Sequence, residues 1–216
     1  MRRWEIWVGL LGLGMLVFGS YYGLMVAPRE VYMGDVQRIM YVHVPTAWNT
    51  LLCFTASFVG AVGWLLTRSW KWDYLIESTI ITGLVTGSLL AVQGAIWAKP
   101  TWGVWWTWDP RLTSVAVMVL SFLGILALRS FVDDPVKRAT WSATATVLAW
   151  VNIPFVYLCV RWMASLHQTQ STPKTVDPAM VFPLRLNAFA VLFVVIFFVA
   201  TGWRIAREQR KRELAE

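Results

Sequence analysis

Six apolar stretches, each long enough to cross a bilayer as an α-helix, constrain this chain more than any other feature of its sequence. A membrane-spanning helix needs about 20 apolar residues, and the chain lacks the period-2 alternation of lipid-facing barrel strands. Only 14% of the residues are charged, against roughly 25% in an average soluble domain. We therefore predict an all-α polytopic membrane protein that forms one membrane domain over residues 1–216. The predicted spans are residues 4–26, 46–67, 75–97, 112–129, 139–162 and 183–203.

The lysines and arginines indicate how these helices are oriented, because basic residues cross the bilayer poorly and stay on the cytoplasmic side. Twelve of the 19 lie at the two termini and in the loops that follow the second and fourth spans. We predict that both termini are cytoplasmic and that the protein lies in a bacterial inner membrane. Residues 27–45, 98–111 and 163–182 then share the periplasmic side. Because the basic residues are spread over many loops, they predict contact with the lipid bilayer and no nucleic-acid partner.

The cysteines and the C-terminal tail predict structural roles. Cys53 and Cys159 both fall within predicted spans, far apart in sequence and outside any CxxC or CxxCH motif. A thiol carrier and a covalent c-type haem protein are therefore disfavoured, and we expect two buried free cysteines. The tail, REQRKRELAE over residues 207–216, is typical of a solvated helical end.

The chain has only two histidines, and each lies a few residues from a span end on the predicted outer side. His43 occurs in MYVHVPTAW, where Pro45 is typical of a first helical turn, so His43 is predicted to lie just before a helix begins. His167 follows the fifth span by about one helical turn. A single interfacial histidine is most often a polar residue without a role. Two imidazoles at similar depth on one face indicate a pair of ligands.

Tryptophans cluster between the third and fourth spans, at Trp102, Trp105, Trp106 and Trp108 of WGVWWTWDPRLT. An aromatic belt at the membrane surface accounts for one or two tryptophans at a span end, not for a cluster. If the stretch is helical, the first three lie at positions i, i+3 and i+4 and form one flat aromatic shelf, which Trp108 extends. We expect Asp109, which follows, to accept a hydrogen bond from an indole N–H, a backbone amide or an arginine.

This combination of residue types suits haem, a large flat ring that carries a metal and anionic edges. Two neutral imidazoles can fill both axial positions of haem iron, and tryptophan faces can stack on the porphyrin. Arginine meets a propionate carboxylate with a planar fork of donors. Arg38, five residues before His43, and Arg111, directly after the tryptophans, are the best candidates, although each is equally compatible with a lipid-headgroup contact.

These segments resemble the tryptophan-rich haem-handling membrane proteins of cytochrome c maturation. WGVWWTWDPRLT is similar to the signature of that family. The sequences YVHVPTAW, LHQ and NIPFVY (residues 152–157) resemble segments of its smallest members, the CcmC-type haem-delivery proteins. In the larger synthase-type members the signature continues as WDxxE, whereas Leu112 stands here in place of that glutamate. The difference favours the delivery branch.

The resemblance implies a site and a set of partners. His43 and His167 would be the two axial ligands of haem b, and Trp102, Trp105, Trp106, Trp108 and Asp109 would belong to the haem-binding signature. The haem would be presented to a periplasmic haem chaperone, which bonds it to a histidine of its own. Further implied partners are the ATPase and membrane subunits of an ABC transporter and a small single-span subunit. The chain itself is not expected to be an enzyme. Its glycine clusters lie within apolar spans, where helix packing explains them, and so they do not indicate a nucleotide-binding loop.

Three other classes of protein remain open. An electron-transfer cytochrome ligates haem from within its helical bundle, which predicts histidines inside the spans, and neither histidine lies inside a predicted span. A membrane transporter of porphyrin or another small molecule explains the tryptophans but leaves both histidines incidental. A scaffold subunit of a transporter explains the topology and nothing else.

Overall fold

The structure is a computed structural model that describes residues 3–168 and 176–215. In these residues α-helices are joined by short connections, and no β-strand is formed. A π-helical turn, Tyr22–Val26, follows the first helix, and a 3₁₀ helix, Asp35–Ile39, leads into the second. The helices are α1 (Arg3–Tyr21), α2 (Met40–Thr67), α3 (Trp70–Trp102), α4 (Pro110–Phe131), α5 (Pro135–Trp150), α6 (Asn152–Trp162) and α7 (Pro178–Glu213).

Within residues 3–168 and 176–215, six helical segments are long and apolar enough to cross a membrane, which confirms the predicted all-α, six-span fold. Each contains one predicted span. α5 and α6 form one of these segments together and are separated at Val151, because Pro154 has no N–H with which to continue the helical hydrogen bonds. The segments are Arg3–Val26, Asp35–Thr67, Trp70–Trp102, Pro110–Phe131, Pro135–Trp162 and Pro178–Glu213. The predicted outer segment 163–182 falls in part on residues 169–175, which lie outside the described residues.

Three helices begin at an Asp-Pro pair, and the sequence explains why. At positions 109–110, 134–135 and 177–178 the aspartate is the N-cap and the proline is the first helical residue. Each aspartate side chain accepts a hydrogen bond from a backbone N–H of the new helix, at 2.9, 2.7 and 2.8 Å respectively. Proline fits the first turn because its missing N–H would have no helical partner there. The first residues of α4, α5 and α7 are thus determined by local hydrogen bonds and by the proline that follows each aspartate.

The core of the bundle is formed by buried side chains of α2, α3, α4, α5 and α6. Phe54 of α2 and Phe122 of α4 stack with their ring centroids 3.9 Å apart and their planes 9° apart. Gly83 of α3 allows this approach, because a Cβ atom there would lie 2.7 Å from the Phe54 ring. Cys53 and Cys159 are buried and free, as predicted.

A buried ion-pair network lies at the opposite end of the bundle from the histidines. Asp73 of α3 is fully buried and accepts from Arg129 of α4 at 2.8 Å and from Arg210 of α7 at 2.9 Å. The prediction of a solvated tail is therefore wrong for Arg210, which is 3% exposed. The reason is that α7 continues along α3 far enough for this arginine to reach the buried carboxylate, which must be paired where water is excluded.

Candidate functional site

The two histidines come together at one end of the bundle, where α2 and α4 begin and α3 and α6 end. His43 lies in the first turn of α2, and His167 lies in the segment that follows α6. Both rings lie against the last turns of α3: His43 against Trp97 and His167 against Trp102, with ring centroids 5.4 and 6.4 Å apart. We refer to this region as the histidine end.

His43 is buried, with 8% of its surface exposed. The prediction that it precedes a helix is wrong, because the 3₁₀ helix Asp35–Ile39 leads the chain into α2 at Met40 and places Pro45 inside the helix. The edge of the His43 ring faces Trp97 of α3, with a centroid distance of 5.4 Å and an interplanar angle of 81°. Its Nδ1 atom is buried and has no hydrogen-bond partner among the described residues.

His167 is half-buried and is held through its Nδ1 atom. Arg111 Nη1 lies 3.1 Å from this nitrogen, and the carbonyl oxygen of Gln168 lies 3.0 Å from it. Because arginine only donates, Nδ1 accepts from Arg111 in one tautomer and donates to Gln168 in the other. Burial lowers the pKa of His167; the Gln168 carbonyl opposes this shift, and the charge of Arg111 adds to it. The imidazole is therefore neutral at pH 7, the form that ligates metals.

Asp109 connects the start of α4 to the segment that carries His167. Its Oδ1 accepts from the backbone N–H of Arg111 at 2.9 Å, and its Oδ2 accepts from that of Leu166 at 2.7 Å. A backbone amide was one of the three partners that the sequence suggested. Burial by itself raises the pKa of Asp109, but hydrogen bonds from the Ser165 hydroxyl and these amides outweigh it and hold the pKa below its ordinary value. The ionised carboxylate thus anchors the segment just before His167.

The tryptophan stretch is not helical beyond Trp102, so the prediction of one helical shelf is wrong. α3 ends at Trp102, and Gly103 has a φ of +79°. Glycine adopts this left-handed conformation without steric cost, and its amide closes the helix by donating to the carbonyl of Lys99 at 3.1 Å. Residues 103–109 then run without helical structure to the Asp109 cap.

The tryptophans consequently divide into two groups. The Trp102 ring lies beside His167, with centroids 6.4 Å apart. Trp106 and Trp108 contact each other edge to face at 5.9 Å. Trp105, Trp106 and Trp108 are exposed by 58%, 38% and 79%. Trp102 thus lies next to the histidine pair, whereas Trp105, Trp106 and Trp108 form an aromatic surface that faces outward.

The two candidate arginines occupy different surroundings. Arg38 donates from Nη1 to the carbonyl of Gly23 at 2.7 Å and from Nε to Asp35 at 2.8 Å. It also lines a cavity of about 520 Å³ together with Tyr41 and Trp97. Arg111, by contrast, contacts His167 directly, and it donates to the carbonyls of Val156 at 3.2 Å and Tyr157 at 3.3 Å. Propionate binding by either arginine stays a prediction.

Two contact residues, Trp97 and Ser165, were not among the predicted site residues. Trp97 packs on His43. The sequence contains a hint of this role, because Trp97 lies five residues before the tryptophan signature and close to a predicted span end. Ser165 hydrogen-bonds to Asp109. Nothing in the local sequence distinguishes this serine, since the contact depends on how the segment after α6 folds onto α4.

Two imidazoles are enough for haem, whose porphyrin supplies the remaining nitrogen ligands. In residues 3–168 and 176–215 no group of three or more histidine, cysteine, aspartate or glutamate side chains gathers as a metal site. Haem does not require such a group.

Comparison of the sequence with known proteins finds similarity to one family. The family model described as "Heme exporter protein C" matches residues 1–216. The chain is similar to Heme exporter protein C of Bradyrhizobium diazoefficiens, with 31% identity over 94% of this chain and 79% of the relative. It is 33% identical to the Haemophilus influenzae protein of that name over 94% of this chain and 85% of the relative. The Escherichia coli K12 protein of that name is 30% identical over 87% of this chain and 77% of the relative.

Proposed function

The chain belongs to the Heme exporter protein C family, and we propose that it holds haem at the histidine end and presents it to a periplasmic haem chaperone for cytochrome c maturation. Its relatives carry the name of haem exporters, which supports a role in the transfer of haem. The observation that carries the proposal is the convergence of the only two histidines of the chain, His43 and His167, at one end of the bundle.

The state of the two imidazoles supports ligation of iron. His43 Nδ1 is buried and no described residue hydrogen-bonds to it. An unpaired polar atom is costly to bury, so this imidazole fits a site that a ligand completes. If His167 binds iron through Nε2, its proton must be on Nδ1, and the Gln168 carbonyl at 3.0 Å is placed to accept it. When the proton is on Nδ1, Arg111 no longer donates to His167 but still donates to the carbonyls of Val156 and Tyr157.

The other site residues would bind and orient the ring. Arg38 uses two of its five N–H donors on Gly23 and Asp35, and its position in the wall of the 520 Å³ cavity supports a contact with a propionate. Trp102 would pack against the ring beside His167. The exposed Trp105, Trp106 and Trp108 would contact the chaperone while one edge of the haem stays accessible.

We further propose that this chain supplies placement only. When bound, haem contributes the vinyl group at which the chaperone's histidine bonds, so the covalent chemistry belongs to haem and the chaperone. ATP hydrolysis would take place in an ABC transporter ATPase that acts with a membrane subunit and a small single-span subunit. The basic residues at the termini support an inner-membrane location with the histidine end on the periplasmic side.

The test is a haem stain and a visible absorption spectrum of the detergent-purified protein after co-expression with the chaperone. We expect bound haem with a six-coordinate, low-spin spectrum. Protein that is folded and inserted but carries no haem would overturn the proposal and favour a small-molecule transporter or a scaffold subunit.

A further inference from the structure

A proline inside α2 removes a hydrogen bond next to His43. Pro45 has no N–H, so the carbonyl of Tyr41, four residues earlier, lacks its usual i+4 donor. Tyr41 is 2% exposed, and water is therefore a poor substitute. An unsatisfied buried carbonyl is costly, and the proline ring also pushes this carbonyl away from the helix axis.

Asn187 of α7 supplies the missing donor. Its Nδ2 atom donates to the Tyr41 carbonyl at 2.8 Å, and its side chain is fully buried. Gly19 of α1 provides the space, because a Cβ atom at that position would lie 2.2 Å from Asn187 Oδ1. The hydrogen bond that α2 cannot make for itself is thus made from a helix 146 residues away in sequence.

His43 lies midway between Tyr41 and Pro45, in the turn whose closing hydrogen bond Pro45 cannot make. We propose that Asn187 is a positioning residue for His43, because it replaces the donor that Pro45 removes and so fixes the first turn of α2 and the direction of the imidazole. The importance of that direction for haem rests on the proposed function. The positioning itself does not, and it can be measured without haem.

A neighbouring asparagine provides a matched control. Asn49 of α2 donates from Nδ2 to the carbonyls of Pro45 at 2.9 Å and Ala188 at 3.3 Å. It therefore also joins α2 to α7 near the histidine end, and it is buried. The Pro45 carbonyl has the backbone N–H of residue 49 as its normal helical partner. Asn49 thus adds a contact, whereas Asn187 replaces a missing one.

The experiment compares Asn187→Ala and Asn49→Ala, each with Pro45 and with Pro45→Ala. Alanine at position 45 restores the N–H that donates to Tyr41, so the loss of Asn187 should matter less in that background. The thermal unfolding of the full chain in detergent, without haem, is the first measurement. We expect the drop in Tm caused by Asn187→Ala to be at least halved by Pro45→Ala, and the drop caused by Asn49→Ala to be the same in both backgrounds.

The second measurement reports on the imidazole directly. Since the chain has two histidines, ¹⁵N-histidine labelling gives signals from two imidazoles, which His167→Ala assigns. Asn187→Ala should shift or broaden the His43 signal and leave that of His167 unchanged, and the change should be smaller with alanine at position 45. Asn49→Ala should leave both signals in place. A purely structural role of Asn187 would lower the Tm without this selective effect.

The outcomes separate the two proposals. An unchanged His43 signal in Asn187→Ala, or an equal drop in Tm in both backgrounds, would overturn the positioning role. If Asn187→Ala does not fold, the double variant decides: its recovery supports the role, and its failure refutes it. Absence of haem from the otherwise normal wild-type protein would overturn the proposed function alone. If haem binds, Asn187→Ala should weaken its affinity by about tenfold, the equivalent of about 1.4 kcal/mol.

Discussion

Arg111 and His167 contact each other across 3.1 Å, from the guanidinium Nη1 to the imidazole Nδ1, although 56 positions separate them in the chain. The contact joins the start of α4 to the segment after α6. It also places a fixed positive charge beside one of the two proposed iron ligands.

The first prediction concerns the two histidines. His43→Ala and His167→Ala should each leave haem iron with one protein ligand, which shifts a low-spin spectrum toward high spin. Imidazole added to either single variant should restore the low-spin spectrum, because it can enter the space that the side chain vacates. Visible absorption with and without imidazole is the measurement. A low-spin spectrum that persists in either variant without added ligands would show that another group binds the iron.

The second prediction concerns the tryptophans, which the structure divides into two groups. Trp102→Ala should reduce haem retention, because this ring packs beside His167. Trp106→Ala combined with Trp108→Ala should leave haem bound and reduce its transfer to the chaperone, because these rings face outward. Haem content and chaperone-bound haem are measured separately. Trp7→Ala on α1, where the side chain is 69% exposed, is the control and should change neither. Normal transfer by the double variant would reduce Trp106 and Trp108 to membrane anchors.

The third prediction concerns Asp109. Asp109→Ala removes the N-cap of α4 and the link to Leu166, so it should cost about 1 kcal/mol or more of stability and reduce haem occupancy through His167. Because the carboxylate is ionised and its pKa is lowered, the stability it adds is fully present above the ordinary aspartate pKa and is lost as the pH falls through the lowered one. Unfolding of both proteins, compared at neutral pH and at about pH 5, should therefore give the same difference. A difference that disappears at about pH 5 would contradict this account.

The fourth prediction concerns Asp73 at the other end of the bundle. Asp73→Asn removes the carboxylate that Arg129 and Arg210 share, but Arg129 keeps Glu77 and Arg210 keeps Glu213. The cost should therefore lie below the roughly 3–5 kcal/mol of an uncompensated buried charge. The Tm in detergent should fall sharply, whereas the spectrum of haem bound to the folded fraction should not change. A variant as stable as the wild type would mean that Glu77 and Glu213 are sufficient partners for the two arginines.

The fifth prediction concerns orientation. In a chain without Cys53 and Cys159, a cysteine in place of Tyr32, which is 94% exposed, should react in intact cells with a thiol reagent that does not cross membranes. A cysteine in place of the exposed Asp133, in the connection between α4 and α5, should react only after the cells are opened. The reverse pattern would place the histidine end in the cytoplasm and exclude presentation of haem to a periplasmic partner.

The sequence by itself determined the number of membrane segments and the central part of each, but not where the second segment begins or where the sixth ends. Burial of apolar side chains in lipid and internal satisfaction of the backbone are properties of each segment alone, so six hydrophobic runs are enough to predict six membrane-spanning segments. Successive spans run in opposite directions, which brought His43 and His167 to the same end. The Asp-Pro pairs set three helix starts by purely local hydrogen bonds.

Only the tertiary structure decided which partner each polar side chain has. Arg111 reaches His167, Arg210 reaches Asp73 across 137 positions, and Asn187 reaches the carbonyl that Pro45 leaves without a donor. α3 ends before most of the tryptophan stretch because Gly103 adopts the left-handed conformation. The spacing of the tryptophans does not predict this helix end. These outcomes depend on the rotation of each helix about its axis and on the space that its neighbours leave, and no local pattern of residues encodes either.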